Sequence, residues 1–172
     1  MSAAPRIETA RLILRQFEAR DIDPHAAMLA DSAVMRHLGT PAPREEAWRR
    51  LLQAPGLWAL IGYGYWAIER REDGAFIGQL GFADFKRALE PSLEGIPEMG
   101  WLFAAEAHGR GFAIEGVLAA LAWADETLRA PEIVAIVAPE NAPSIRLAER
   151  AGFERAEDTV YKGDPTVIFR RR

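Results

Sequence analysis

The stretch His108–Gly116, HGRGFAIEG, decides the fold. Two glycines flank an arginine directly before a segment with helical spacing, so backbone freedom is greatest where a helix begins. The first N–H groups of a helix have no partner within the helix, and a glycine turn leaves them open to an anion. The stretch therefore predicts an anion site, with phosphate as the usual ligand, at a strand-to-helix connection.

The segments on either side of this turn predict a β-α-β unit. Residues 98–104 (EMGWLFA) are strand-like, and residues 113–128 carry an apolar stripe at the spacing of one buried helix face. Residues 132–138 (EIVAIVA) are a continuous apolar run, typical of a strand that is buried on both faces. The glycine turn would then lie between the first strand and the helix.

The rest of the chain extends this unit to a mixed α/β domain. Further strands are predicted at 11–17, 63–71, 75–85, 154–161 and 166–171, and further helices at 21–38, 43–53 and 141–153. Residues 86–97 contain Pro and Gly and predict a loop of a length that is often functional or mobile. The resulting order, β-α-α-β-β-β-α-β-α-β-β, predicts an α/β fold with a mixed (α+β) sheet, and 172 residues suit a single domain, 1–172.

Composition narrows the chemistry. The chain has no cysteine, which excludes disulfides, thiolate nucleophiles and cysteine-based zinc sites, and its three histidines are too far apart to predict a metal site. A net charge of −4 gives no indication that the protein binds nucleic acid or an anionic membrane surface. No apolar run approaches the roughly 20 residues of a membrane span, and the opening residues lack the pattern of a signal peptide. We therefore expect a cytoplasmic monomer or homodimer.

The glycine turn has three interpretations from the residues alone. It is a tight structural connection, or the start of a dinucleotide fold with the fingerprint GxGxxG, or a P-loop. Gly109 and Gly111 fit the second pattern and Glu140 fits its ribose-binding acid, but Ile114 occupies the third glycine position. The chain that follows is also too short for a second nucleotide-binding half. A P-loop requires GK[ST] where this chain has GFA, which excludes it.

A fourth interpretation comes from a family resemblance. HGRGFAIEG resembles the pyrophosphate-binding signature (Q/R)xxGx(G/A) of the GNAT superfamily of N-acetyltransferases, which holds coenzyme A. Gly111 and Ala113 match it, whereas His108 replaces Gln or Arg at the first position. The preceding strand, residues 98–104, lies where the family has its splayed β4 strand.

Two further segments resemble one branch of this family. Residues 141–153, NAPSIRLAERAGF, resemble its NxxSxxxxExxGF run, and residues 7–21, IETARLILRQFEARD, resemble its TxRLxLRxxxxxD start. Both are typical of the branch that contains ribosomal-protein alanine N-acetyltransferases. The resemblance covers nearly the whole chain, in the family's order, and the chain is identified as a member.

The resemblance implies acetyl-CoA as cosubstrate and a central pair of strands that splays to admit it. It implies these cofactor-binding residues: Leu102, Phe103, Ala104, His108, Gly109, Arg110, Gly111, Phe112, Ala113, Asn141 and Ser144. No metal is expected. Arg110 would add a charge to the phosphate site, or face solvent and contribute its backbone N–H alone.

The implied reaction is attack of an amine on a thioester. Because the amine must lose a proton and the departing thiolate must gain one, an acid and a base are expected at the site. Many members protonate the thiolate with a tyrosine, but Ala148 stands at that position, and Ser144 matches the serine that the branch uses instead. Ser144 is otherwise a first-turn hydroxyl that caps the helix. Tyr161 is a weaker substitute for the acid.

For the base we predict Glu98, because several family members carry a carboxylate at the start of this strand. Strand alternation puts Glu98 on the face opposite Trp101. Glu98 is otherwise an exposed strand-end carboxylate, in which case water accepts the proton and positioning of the amine supplies the rate.

The acceptor site is predicted from the first two helices, the last hairpin and three aromatic or loop features: residues 37–43, residues 62–69 and Trp101. These aromatics line a pocket for a peptide end or an apolar amine, or belong to the core. His37 and Glu115 are assigned no role beyond core or surface.

Three functions follow from these observations. The leading one is an acetyl-CoA-dependent N-acetyltransferase that acts on a protein N-terminal α-amine or on a small-molecule amine. The second is a catalytically silent acyl-CoA-binding or interaction module on the same fold. The third, a nicotinamide-dependent oxidoreductase, requires that the glycine turn bind NAD.

Overall fold

The computed structural model describes residues 3–172. These residues form eight strands and five α-helices. The strands are β1 (Ile7–Glu8), β2 (Leu12–Arg15), β3 (Tyr65–Arg70), β4 (Phe76–Ala83), β5 (Glu98–Phe103), β6 (Ile133–Val137), β7 (Glu154–Tyr161) and β8 (Asp164–Arg171). The helices are α1 (Ile22–Ala30), α2 (Ser32–Met35), α3 (Arg44–Ile61), α4 (Phe112–Thr127) and α5 (Ala142–Arg150).

All eight strands form one mixed sheet in the order β1-β2-β3-β4-β5-β6-β8-β7. Neighbouring strands are antiparallel except β5 and β6, which are parallel and joined through α4. This is the β-α-β unit that the sequence predicts around the glycine turn, and the mixed α/β fold is confirmed.

The parallel pair β5 and β6 separates almost at once. β5 pairs with β4 over six positions, from Glu98 to Phe103, but its only register pair with β6 is Glu98 with Val134. The Val134 N–H donates to the Pro97 carbonyl at 3.0 Å, and no further pair follows within the described residues. The splayed strand pair that the family resemblance implies is therefore present, and the β6-facing backbone edge of β5 is left open.

Two predicted helix boundaries were wrong. The helix predicted at 21–38 breaks at Asp31, because the Asp31 carboxylate accepts the Ala33 N–H at 2.8 Å and starts the short helix α2. The helix predicted at 43–53 continues as α3 to Ile61 despite Pro55, because Leu51, Ala54 and Trp58 keep the buried face in phase. The chain also adds the two-residue strand β1.

The two faces of the sheet carry different layers. On one, called the α4 face, Met99 and Phe103 of β5 join Val117 and Leu121 of α4 in the main hydrophobic core. On the other, called the α1 face, helices α1 and α2 and the first part of α3 pack over β3, β4 and β5, whereas Trp58 near the end of α3 joins the main core. The central strand β5 thus presents alternate residues to two separate layers.

The loop between β4 and β5, residues 84–97, is anchored to the α1 face. Leu89 and Leu93 are buried against Val134 and Ile168, and the Thr159 hydroxyl donates to the Glu90 carbonyl at 2.5 Å. The loop therefore covers the part of the sheet that α1 to α3 leave open. Within residues 3–172 no helix is both long and apolar enough to cross a membrane.

Candidate active site

The glycine loop, residues 108–111, lies between the 3₁₀ turn Ala105–Ala107, which follows β5, and the start of α4, and its conformation favours glycine. Gly109 and Gly111 have φ of 69° and 77°, in the left-handed region. Gly111 precedes α4 directly, and no side chain caps the helix, so the first-turn N–H groups keep their donor capacity. At the start of the loop a ring nitrogen of His108 lies 2.9 Å from the Phe103 carbonyl, which ties the loop to the end of β5.

The TxRL motif near the start of the chain forms hydrogen bonds with this loop and with α4. Arg11 donates through Nη1 to the Arg110 carbonyl at 2.8 Å and through Nε to Glu115 of α4 at 2.7 Å. Glu115 also accepts the Thr9 hydroxyl at 2.6 Å and the Arg11 backbone N–H at 2.8 Å. Burial raises the pKa of Glu115. The hydrogen bonds from Thr9 and Arg11 together lower it by more, so the net shift of this pKa is downward. Glu115 therefore has a definite structural role.

Arginines surround the outer side of the glycine loop. The Arg110 guanidinium lies over the Phe112 ring at 4.9 Å and forms no ion pair with a carboxylate in residues 3–172. Beside it a shallow cavity of about 460 Å³ is lined by Arg11, Arg70 and Arg71. The loop thus combines free backbone donors with an unpaired positive charge, which suits a phosphate or pyrophosphate group.

The open edge of β5 leads away from the glycine loop. Phe103 and Ala104 are buried and Leu102 is half-buried. The Ala104 N–H donates to the Ile77 carbonyl of β4 at 2.9 Å, so β5 is held on that side. Its other edge faces the gap between β5 and β6, where an extended chain would find main-chain partners.

Helix α5 places Ser144 on the far side of this gap. The Asn141 side chain accepts the Ser144 N–H at 3.2 Å, which confirms the predicted helix cap. The Ser144 hydroxyl accepts a hydrogen bond from the Trp101 indole N–H at 3.2 Å. Ala148, at the family's tyrosine position, is fully buried.

Glu98 lies on the α1 face and is held by Arg87. The Arg87 guanidinium donates from Nε and Nη2 to the two carboxylate oxygens at 2.8 and 2.9 Å. Glu98 is 6% exposed, so it is a buried, paired carboxylate and not an exposed strand-end one. The guanidinium also lies 4.6 Å from the Phe85 ring centre and 4.9 Å from that of Tyr161.

Tyr65 and Tyr161 complete this side of the site. Burial, with the nearby charge of Glu98, raises the pKa of the Tyr65 hydroxyl, so it stays protonated at neutral pH. A hydrogen bond with Arg87 lowers the pKa of Tyr161, against a smaller effect of burial. Tyr161 thus shares the α1 face with Glu98 and lies across the sheet from Ser144.

The segments predicted for the acceptor site separate in the structure. Trp66 is fully buried in a cluster with Trp58 and Trp123, whereas Tyr65, its neighbour, packs beside Phe85 near Glu98. From the loop 37–43, His37 reaches the end of β6, where its Nδ1 lies 3.8 Å from Glu140. Trp101 belongs to the α4 face, as alternation predicts.

Comparison with known proteins identifies the chain. The family model described as an acetyltransferase (GNAT) domain matches residues 11–154. The chain belongs to the GNAT acetyltransferase family. The N-acetyltransferase YoaA of Bacillus subtilis is 31% identical over 157 residues, covering 88% of this chain and 84% of YoaA. The chain is therefore an acetyltransferase.

Solved GNAT structures support the same assignment. A protein described as a GnaT-family acetyltransferase from Bordetella pertussis is 31% identical and superposes with a TM-score of 0.85, covering 98% of this chain and 100% of that one. An acetyltransferase from Agrobacterium tumefaciens is 28% identical, also with a TM-score of 0.85, covering 99% and 95%.

More distant GNAT structures share the fold alone. The aminoglycoside acetyltransferase AAC(6′)-Ib, solved in complex with coenzyme A, is 20% identical with a TM-score of 0.76, covering 93% of this chain and 94% of that one. The ribosomal-protein-S5-alanine acetyltransferase from Vibrio fischeri is 17% identical with a TM-score of 0.76, covering 98% and 96%.

The sequence did not predict the contacts of Arg87 and Arg11 in this GNAT site, and it left Tyr65, within residues 62–69, undecided between acceptor pocket and core. Arg87 lies in a loop whose composition gives no sign that it pairs with Glu98. Tyr65 stands in an aromatic run in which no local signal separates a site residue from a core residue. Arg11 belongs to the TxRL motif, which indicates the family, but the motif does not show that its arginine contacts the glycine loop.

Proposed function

We propose that the protein is an acetyl-CoA-dependent N-acetyltransferase that transfers the acetyl group to a primary amine by direct attack on the thioester. The observation that carries the proposal is the early end of the β5–β6 pairing at Glu98. It opens a gap that leads from the glycine loop to a point between Ser144 and Glu98. In this proposal residues 1–172 act as one cytoplasmic domain, monomeric or homodimeric.

The residues at this gap fit coenzyme A. The first-turn N–H groups of α4 and the Arg110 guanidinium would hold the pyrophosphate, and a Cβ built on Gly109 would meet no atom within 4 Å, so the loop is open there. The open edge of β5 along Leu102–Ala104 would run beside the pantetheine arm, although the Ala104 N–H is already bonded to β4 and the Phe103 carbonyl to His108. Asn141, Phe112 and Ala113 border the same path. Among residues 3–172 there is no cluster of three potential metal ligands.

The transfer requires that protons move at both ends of the reacting group. As the amine nitrogen bonds to the thioester carbonyl carbon, its proton passes to the Glu98 carboxylate, directly or through water, while Arg87 fixes that carboxylate in place. When the C–S bond breaks, its electron pair goes to sulfur. The Ser144 hydroxyl gives its proton to that sulfur, which becomes the thiol, and Oγ regains a proton from solvent water.

The acceptor is a protein N-terminal α-amine or a small-molecule amine. Both types occur among acetyltransferases that share this fold: one neighbour is described as acting on an alanine of ribosomal protein S5, the other on aminoglycosides. The aromatic rings of Tyr65, Phe85 and Tyr161 on the α1 face support an acceptor site on the side of Glu98. No nucleic acid or membrane partner is part of the proposal.

Release of free thiol from acetyl-CoA with a panel of peptides and small amines tests the proposal. We expect release with at least one amine. Ser144→Ala should lower kcat by about a hundredfold, with little change in cofactor affinity, whereas Ser92→Ala, in the exposed part of the β4–β5 loop, should match the wild type. An unchanged kcat in Ser144→Ala at every pH would remove Ser144 from the mechanism.

The silent binding module remains the second candidate. Two observations favour it: Ala148 replaces the family's tyrosine, and Arg87 occupies both oxygens of Glu98. Thermal unfolding with acetyl-CoA, coenzyme A, NAD and ATP separates the candidates from the oxidoreductase. A ligand at a hundredfold excess over its Kd adds about 2.7 kcal/mol of stability. Stabilisation by acetyl-CoA without thiol release from any amine would favour the silent module.

A further inference from the structure

We propose that Trp101 is a positioning residue that turns the Ser144 hydroxyl towards the gap between β5 and β6. The inference rests on the proposed function, in which that hydroxyl faces the departing sulfur. Trp101 lies on β5, three residues after Glu98, where the pairing of β5 with β6 ends. Ser144 lies in the first turn of α5, the helix that follows β6. Their hydrogen bond of 3.2 Å therefore spans the two separating strands.

The chemistry of the two groups fixes the direction of the bond. An indole N–H only donates, whereas a serine hydroxyl has one proton to donate and two lone pairs. Oγ must therefore accept from Trp101, and its own proton points elsewhere. Within residues 3–172 that proton has no hydrogen-bond acceptor.

The helix cap does not compete for this hydroxyl. Asn141 accepts the backbone N–H of Ser144, not the side-chain proton. Without Trp101, a serine in the first turn of a helix is free to rotate and to bond to nearby backbone groups. Donation from the indole holds the hydroxyl out of such bonds and also stabilises negative charge on Oγ, which makes its proton a better donor.

No other side chain within residues 3–172 forms a hydrogen bond with Oγ. Glu98, Arg87 and Tyr161 lie on the α1 face, whereas Trp101 and Ser144 meet on the α4 face. The Trp101 ring is half-buried and packs against the main core, so the strand fixes the position of its N–H. The orientation of the hydroxyl therefore depends on one donor, and a substitution can remove that donor while it keeps an aromatic ring.

Steady-state kinetics of Trp101→Phe, Ser144→Ala and the double variant test the inference. We expect Trp101→Phe to lower kcat by roughly fivefold to tenfold, the weight of one hydrogen bond, with the KM for acetyl-CoA within about twofold of wild type. Because Trp101 acts through Ser144, the double variant should be no slower than Ser144→Ala. Trp66→Phe, which removes an indole N–H from the buried cluster, controls for loss of a tryptophan.

The outcomes separate this inference from the proposed function. If the wild type releases no thiol with any amine, the proposed function fails and the inference fails with it. If the wild type is active but Trp101→Phe keeps full kcat, or if its loss multiplies with that of Ser144→Ala, only the inference is overturned. A direct check is the indole N–H resonance of Trp101 by NMR, which Ser144→Ala should move upfield if the bond exists.

Discussion

The hydroxyl oxygen of Tyr65 lies where a side chain at residue 100 would begin: a Cβ built on Gly100 would be 2.1 Å from it. Tyr65, Gly81 and Gly100 are in register across β3, β4 and β5. A Cβ at Gly81 would also come within 2.4 Å of the Tyr65 Cα. The two glycines thus form a trough in which the Tyr65 ring reaches the centre of the site, and the Gly in EMGW is required by packing.

Gly100→Ala should therefore destabilise the protein by about 1–3 kcal/mol, the usual cost of overpacking. Because the next ring atom, Cζ, would be 3.2 Å from the new Cβ, removal of the hydroxyl in Tyr65→Phe/Gly100→Ala should recover more than half of the loss. Urea unfolding measures both. Gly56→Ala, a helical glycine with open space around it, is the control and should not destabilise.

Local sequence patterns predicted most of the strands, helices and turns of this fold, because periodicity and turn chemistry depend on residues that are close in the sequence. The β-α-β unit around the glycine turn, the Asn141 cap and the opposite faces of Glu98 and Trp101 all follow from such rules. The splay of β5 and β6 came from the family resemblance, since no local pattern encodes it. Contacts between residues far apart in the sequence could not be predicted from local patterns. The Trp101–Ser144 hydrogen bond joins residues 43 apart, and the Arg11–Arg110 hydrogen bond joins residues 99 apart.

Arg11 gives a prediction for cofactor binding. Its guanidinium donates to the Arg110 carbonyl and pairs with Glu115, so Arg11→Ala removes the support behind the glycine loop. We expect the KM for acetyl-CoA to rise about tenfold while kcat at saturation changes little, because the loop must be ordered upon binding. Arg6→Ala, which removes an exposed ion pair with Glu8, should leave both constants unchanged. Equal KM values in the two variants would contradict a supporting role for Arg11.

His25 predicts how stability depends on pH. The side chain is fully buried, its Nε2 lies 3.1 Å from the Gln79 amide oxygen, and within residues 3–172 its Nδ1 has no hydrogen-bond partner. Burial lowers the pKa of His25, against a smaller opposing effect of Gln79. Below pH about 6.5, His25 binds a proton in the unfolded chain but stays neutral in the folded protein. The contribution of His25 to stability is therefore fully present above that pH and decreases as the pH falls.

We expect the free energy of unfolding to fall by up to about 1.4 kcal/mol per pH unit below 6.5 from this group. Urea unfolding at pH 7.5 and 5.5 measures the difference. His25→Met should reduce it, whereas His108→Gln, at an exposed histidine, should retain it. If His25→Met keeps the whole pH dependence, another group is responsible.

Arg87 provides the last prediction, on the side of the site where Glu98 lies. The Glu98 side chain is 7% exposed and that of Arg87 21%, so the pair is largely removed from water. Removal of one partner leaves the other charge buried without compensation, which typically costs about 3–5 kcal/mol. Arg87→Met keeps most of the side-chain volume between Phe85 and Tyr161, so its effect reports the charge. Arg20→Met, at an exposed pair with Glu18, should change stability by less than about 1 kcal/mol. If the two variants unfold at the same urea concentration, Glu98 does not depend on Arg87, and its carboxylate is free to act as the base without that partner.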